Sequence, residues 1–154
     1  MITKRIGAGA FGLVCEAVNT ETGEKVAIKQ INRLFEEIQD TKRLLREVTI
    51  LKNLNHPNLV KLKEIVVPNG PEEFTEICIV MEHAQSDIRR LIKSPINLEE
   101  EHIKLITYGI ICGVKYVHSA NILHRDIKPA NILINEDCET KLCDFGLART
   151  LPDL

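Results

Sequence analysis

His124-Arg125-Asp126-Ile127-Lys128-Pro129-Ala130-Asn131, followed after two short strand-like runs by Asp144-Phe145-Gly146, is the stretch on which the reading of this chain turns. The runs, Ile132 to Ile134 and Thr140 to Cys143, read as short strands joined by a turn at Asn135-Glu136-Asp137. A polar loop and a strand pair thereby bring together an aspartate, a lysine, an asparagine and a second aspartate. Unrelated surface loops are a poor account of those residue types in that order.

Upstream of the loop, Leu105, Ile106, Tyr108, Ile110, Ile111, Val114, Tyr116 and Val117 occupy nearly every face of one predicted helix, a pattern that suits a helix surrounded by protein. Asn97, with Glu100 three residues on, resembles a capping box at its start. A shorter helix ending at Lys93 precedes it, after a polar connection from Glu82 to Ser86. Between Phe35 and Leu54, the spacing of Ile38, Leu44, Leu45, Val48 and Leu51 predicts an amphipathic helix, ended by Asn55-His56-Pro57-Asn58. Strands at roughly Leu59 to Val67 and Glu76 to Met81 are separated by a turn at Pro68-Asn69-Gly70-Pro71. From Ile2 to Ile31 the pattern is three antiparallel strands, the second and third joined by Asn19-Thr20-Glu21-Thr22-Gly23.

The first of those strands runs into Gly7-x-Gly9-x-x-Gly12-x-Val14. Glycines let backbone amides approach a phosphate because no Cβ crowds the anion, although in isolation an ordinary glycine-bearing hairpin explains the string better. A dinucleotide-binding fold demands a helix that starts within the glycines. Leu13 to Val18 reads instead as a strand, so a dinucleotide-dependent oxidoreductase is the remote alternative. Lys29, in Val26-Ala27-Ile28-Lys29, shares a strand face with Ala27, and alone it reads as a snorkelling surface lysine. Glu47 lies mid-helix on the side of Leu51, and alone it reads as a solvated charge. His56, His83, His102 and His118 lack zinc-ligand spacing and suit turn, hinge or helix roles; Cys143, beside Asp144, suits a buried strand position.

Composition sets outer bounds. The 154 residues are 44% apolar and 27% charged, enough to bury a core, and a net charge of -2 gives no electrostatic reason to expect nucleic acid or an anionic membrane as partner. Five scattered cysteines without a C-x-x-C pair, and no apolar leader behind a basic start, point to a reducing cytoplasmic or nuclear compartment. No uninterrupted apolar run is long enough to span a bilayer.

Taken together, these strings resemble the signature set of the eukaryotic protein kinases, across essentially the whole chain. The resemblance implies an α+β, protein-kinase-like fold: a five-stranded antiparallel N-lobe sheet with one helix, then the first helices and catalytic loop of a truncated C-lobe. Residues 1–81 form the implied N-lobe, 82–86 the hinge, and 87–154 the C-lobe portion. It further implies that Lys29, oriented by Glu47, holds the α- and β-phosphates of ATP, while Asn131 and Asp144 bind Mg2+. Asp126 is expected to orient the substrate hydroxyl and accept its proton, and Lys128 to neutralise the γ-phosphate. Nucleotide contacts are implied for Ile6, Gly7, Ala8, Gly9, Ala10, Phe11, Gly12, Val14, Ala27, Met81, Glu82, His83, Ala84, Asp87 and Leu133. Leu51, Leu62, His124 and Phe145 match the family's stack between helix and active site, and Arg125 matches its sensor of a phosphorylated activation loop.

A lysine two residues after the loop aspartate resembles the serine/threonine branch. Lys42 to Glu47, Lys115 to Asn121 and Cys143 to Arg149 are most similar to the mitogen-activated protein kinases. Expected partners are protein substrates phosphorylated on Ser or Thr, including Ser or Thr followed by Pro, and an upstream activating kinase. The activation segment beyond Leu154 has no counterpart here, so an incomplete catalytic domain is expected. The alternative from another class is a catalytically silent nucleotide-binding or docking fragment.

Overall fold

The computed structural model describes residues 1–9, 12–32, 34–68 and 75–151. Ala10 and Phe11 of the glycine stretch, and most of the expected turn at 68–71, lie outside them. The chain divides into two units, Met1–Leu44 with Lys61–His83 and Leu45–Val60 with Ala84–Leu154.

The first unit is built on a five-stranded antiparallel sheet of order β1-β2-β3-β5-β4. Its strands are β1 (Ile2–Gly9), β2 (Gly12–Val18), β3 (Lys25–Ile31), β4 (Leu62–Val66) and β5 (Ile77–Glu82). A strand follows Gly12, so the local demand of a dinucleotide fold is not met. Gly12 has φ +141, and a Cβ there would stand 1.8 Å from the Gln30 carbonyl oxygen of β3. No other residue fits that approach. Between β2 and β3, Asn19 Oδ1 accepts from the Glu21 and Thr22 amides at 2.9 and 3.3 Å, the local bond that makes Asn a turn former. Val26, Ala27, Ile31, Ile77 and Ile79 are buried from the inner strands.

Helix α1 (Ile38–Asn53) starts later than the apolar pattern predicts, and Phe35 stays 60% exposed ahead of it. The stripe also differs: Ile38 and Leu45 are exposed, while Leu44, Glu47, Ile50 and Leu51 are buried. A carboxylate is therefore buried on the side of the helix that carries Leu44 and Leu51.

In the second unit, β6 (Ser86–Asp87), β8 (Ile132–Ile134) and β9 (Thr140–Leu142) form a three-stranded sheet, and β7 (Ile122–Leu123) pairs with β10 (Arg149–Thr150). Leu59 makes a parallel bridge to Leu142, with Leu142 N to Asn58 O and Val60 N to Leu142 O both at 2.9 Å. Helix α2 (Ile88–Lys93) is capped by Asp87, whose Oδ1 accepts from the Arg90 amide at 2.9 Å. Helix α3 (Glu100–Ser119) begins after Glu99 rather than Asn97, because His102 Nδ1 turns back to accept from the Glu99 amide at 3.1 Å. Its buried side is Ile106, Gly109, Gly113 and Val117. At Gly109 a Cβ would come within 2.4 Å of Thr140 Oγ1, so the missing side chain is what lets α3 lie against β9. Leu105, Tyr108 and Ile111 face outward, 55–70% exposed.

Candidate active site

Strand register assembles the first unit's contribution. Val14 pairs with Lys29 and Lys29 with Ile79, while Ala27 pairs with Glu16 and with Met81. Directly paired residues share a face and successive residues alternate, so Val14, Glu16, Ala27, Lys29, Ile79 and Met81 lie on one side of the sheet. Lys29 is half-buried there, between Val14 and Ile79. Ile6 sits at an irregularity in the β1–β2 register, Gly7 pairs with Val14, Ala8 with Leu13 and Gly9 with Gly12.

At the end of β5, Glu82 is tied to Lys61 twice, its amide donating to the Lys61 carbonyl at 3.0 Å and its Oε1 accepting from the Lys61 amide at 2.7 Å. His83 Nε2 lies 3.0 Å from Glu16 Oε2. Glu16 is buried, accepts from Thr3 Oγ1 at 2.9 Å and stands 3.4 Å from Lys4 Nζ. The Thr3 hydrogen bond and the Lys4 charge hold its carboxyl below the usual range against the opposing pull of burial. Glu16 is missing from the sequence-based candidates, although strand alternation from Val14 places it on their face.

The second unit carries the polar loop. Asp126 Oδ2 accepts from Lys128 Nζ at 2.7 Å and from Asn131 Nδ2 at 2.8 Å, and the same Asn131 nitrogen reaches the Asp126 carbonyl at 3.0 Å. Lys128 chiefly, aided by Asn131, holds the Asp126 carboxyl below its ordinary value, and the same contact pushes the Lys128 ammonium up. Asp126 is thus an anion at neutral pH and Lys128 a cation. Both Asn131 contacts are acceptors, so its nitrogen faces Asp126 and its oxygen is the atom left to act as a ligand.

Two residues tie this loop to the Asp-Phe-Gly turn. His124, 2% exposed, accepts from the Asp126 amide at Nδ1 (3.2 Å) and donates from Nε2 to the Cys143 carbonyl at 3.0 Å. Those partners define the neutral Nε2–H tautomer. Burial is the main cause that pushes its pKa down, opposed by the Cys143 carbonyl and by Asp144 and Asp126. Asn131 adds a second tie, its carbonyl accepting from the Cys143 amide at 3.0 Å.

Asp144 follows immediately with φ 65, ψ 72, a left-handed conformation that costs a non-glycine residue roughly 1–3 kcal/mol unless its surroundings impose it. Phe145, fully buried, anchors the turn with its ring 4.6 Å from that of His124. Glu47 is 5% exposed in the second half of α1. Leu133 is half-buried in β8, opposite Asp87 and Lys141. Ala84 is half-buried at the start of this unit. Asp87, expected at a nucleotide, has its carboxylate engaged as the α2 cap and with Arg90 Nε at 3.3 Å.

Asn131 and Asp144 offer an amide oxygen and a carboxylate, hard donors that fit Mg2+. Among the described residues no three His, Cys, Asp or Glu side chains group to hold a metal. A donor pair this small suits an ion that keeps waters and takes substrate phosphate oxygens as its remaining ligands. Among the described residues no helix is long and apolar enough to cross a membrane.

A sheet with a glycine-rich hairpin and a strand lysine, and a loop in which Asp126, Lys128 and Asn131 are tied to an Asp-Phe-Gly turn, define a protein kinase. The family model for the protein kinase domain matches residues 1–153, and the chain belongs to that family. It is 49% identical over 148 residues to extracellular signal-regulated kinase 1 of Dictyostelium discoideum, 96% of this chain and 28% of that one. Mitogen-activated protein kinase 15 of rice is equally similar over the same share, with 30% of its length matched. Mitogen-activated protein kinase 4 of Arabidopsis thaliana is 49% identical over 145 residues, 94% of this chain and 39% of that one. The chain therefore spans between a quarter and two-fifths of the length of these relatives.

Proposed function

We propose that this chain is the ATP-handling part of a serine/threonine protein kinase of the mitogen-activated kind, which transfers the γ-phosphoryl group of ATP to protein Ser and Thr hydroxyls. The observation that carries the reading is the Asp126–Lys128–Asn131 cluster, tied to the Asp144 turn through His124. Phosphoryl transfer asks for an aligned nucleophile and for neutralisation of phosphate charge, and the cluster offers a carboxylate, a cation and two oxygen ligands for those tasks.

Lys29, half-buried on its strand, is the cation that holds the α- and β-phosphates. Bound magnesium supplies positive charge at the phosphate oxygens, and Asn131 and Asp144 are the residues that hold it. Asp126, ionised and weakly basic, orients the substrate hydroxyl and takes its proton late, as transfer makes that oxygen acidic. Lys128 carries its charge at every physiological pH and neutralises the γ-phosphate. Val14, Ala27 and Met81, on one face of the first unit's sheet, provide apolar surface for the adenine, and Glu82 and His83 at the end of that unit provide backbone donors and acceptors. Protein substrates and an activating kinase are the partners this reading implies.

Two measurements test it. The chain should bind ATP only with magnesium present, and Asp144→Asn should abolish that magnesium-supported binding. In a preparation active as a kinase, Asp126→Asn and Lys29→Met should each lower kcat by about 100-fold or more with the fold retained. Unchanged phosphorylation by either variant would reject the assigned roles.

A further inference from the structure

Asp144 holds its left-handed conformation only as far as its neighbours impose it, and the contacts on its two sides come from different parts of the second unit. On the N-terminal side, His124 and Asn131 grip Cys143 through its carbonyl and amide, each at 3.0 Å. Phe145 is fully buried, and the Ala148 amide closes back on its carbonyl at 3.0 Å. On the C-terminal side, the buried Gly146 carbonyl accepts from Arg46 Nη1 of α1, a side chain 100 positions away in the sequence. A guanidinium–carbonyl bond is charge-assisted and directional, stronger than a neutral pair. Arg46 lies in the half of α1 that belongs to this unit, next to buried Glu47.

We propose that Arg46 is a positioning residue for the metal-binding turn: by holding the Gly146 carbonyl it sets the backbone of Asp144-Phe145-Gly146, and so the direction in which the Asp144 carboxylate is presented. The turn is thereby clamped from both sides, by the catalytic loop before Asp144 and by α1 after it. Displacing the second half of α1 releases one clamp and lowers metal affinity without touching a ligand. This rests on the reading of Asp144 as a magnesium ligand, and it gives Arg46 a role that the sequence analysis did not assign.

The test uses the full chain with Arg46→Met, which keeps length and loses the donor, and Arg46→Lys, which keeps one. Amide hydrogen exchange with no ligand present should rise about tenfold or more at 144–148 in the Met variant, with α3 and β8 unchanged. The magnesium concentration needed for half-maximal ATP binding should rise about tenfold or more, the usual scale for a residue that orients a metal ligand. At saturating magnesium the nucleotide affinity should return to that of the wild type. The Lys variant should fall between the two.

Wild-type exchange at 144–148 in both variants overturns the clamp. Loss of protection spread over α3 and β8 in both overturns it in favour of a general structural role. A wild-type chain whose ATP binding ignores magnesium sinks the reading of Asp144 and the metal half of this proposal, and the exchange result judges the clamp separately.

Discussion

His124 is 2% exposed and neutral, and the cause that lowers its pKa is chiefly burial. In the unfolded chain its pKa returns to about 6.5, so below that pH the unfolded state binds the extra proton. The contribution of neutral His124 to stability is therefore complete above about pH 6.5 and is lost as pH falls through the lower folded value. Asp126 and Glu16 are lowered as well, but their losses begin only near the ordinary carboxylate range. Thermal melts between pH 7.5 and 5.5 should show a falling Tm, and His124→Gln should flatten that slope. A slope that His124→Gln leaves unchanged would assign the effect to other groups.

At the scale of the element, two glycines decide how neighbouring pieces approach. Gly12 combines φ +141 with a backbone carbonyl 1.8 Å from any Cβ, so Gly12→Ala must move β2 or β3. A Cβ at Gly109 would stand 2.4 Å from Thr140 Oγ1 and 3.0 Å from Asn58 Nδ2, both side-chain atoms that can shift more readily than backbone. Urea unfolding should therefore show roughly 2–4 kcal/mol lost for Gly12→Ala, against about 1–3 kcal/mol for Gly109→Ala. The reverse order would mean that β2–β3 gives way more easily than α3 on β9. Thr140 Oγ1 lacks a hydrogen-bond partner among the described residues, so rotating it breaks no such bond there.

At the scale of the whole molecule, the outward side of α3 sets the solution behaviour. Ile103, Leu105, Tyr108 and Ile111 are 52–70% exposed on one helix, and Ile92 and Ile96 are exposed just before it. Burying one such side chain is worth about 1.5–3 kcal/mol, against total stabilities of about 5–15 kcal/mol. Alone in solution, the chain should self-associate through this side, and light scattering after gel filtration should show mass above that of the monomer. Tyr108→Lys with Ile111→Lys should restore the monomer. A wild-type chain already monomeric at high concentration would refute the prediction.

Strand alternation, turn residues and the His124–Asn131 and Asp144–Gly146 strings made the sheet, the hairpins and the polar loop readable from sequence, because those signals are local: side-chain period, conformational preference and residue type. Glu47 shows the limit. Its helix was legible, yet whether a carboxylate faces water or protein depends on what packs on that side, and no helical period encodes it. The α3 cap moved from Asn97 to Glu99 because His102 competed for the orphan amide, a contest settled by geometry. Glu16 on His83, and Arg46 on the Gly146 carbonyl, were invisible for the same reason. The sequence by itself determined the elements and the chemical groups available to them; tertiary structure alone decided which charges are buried and what they hold, since burial and long-range hydrogen bonds exist only once distant segments meet.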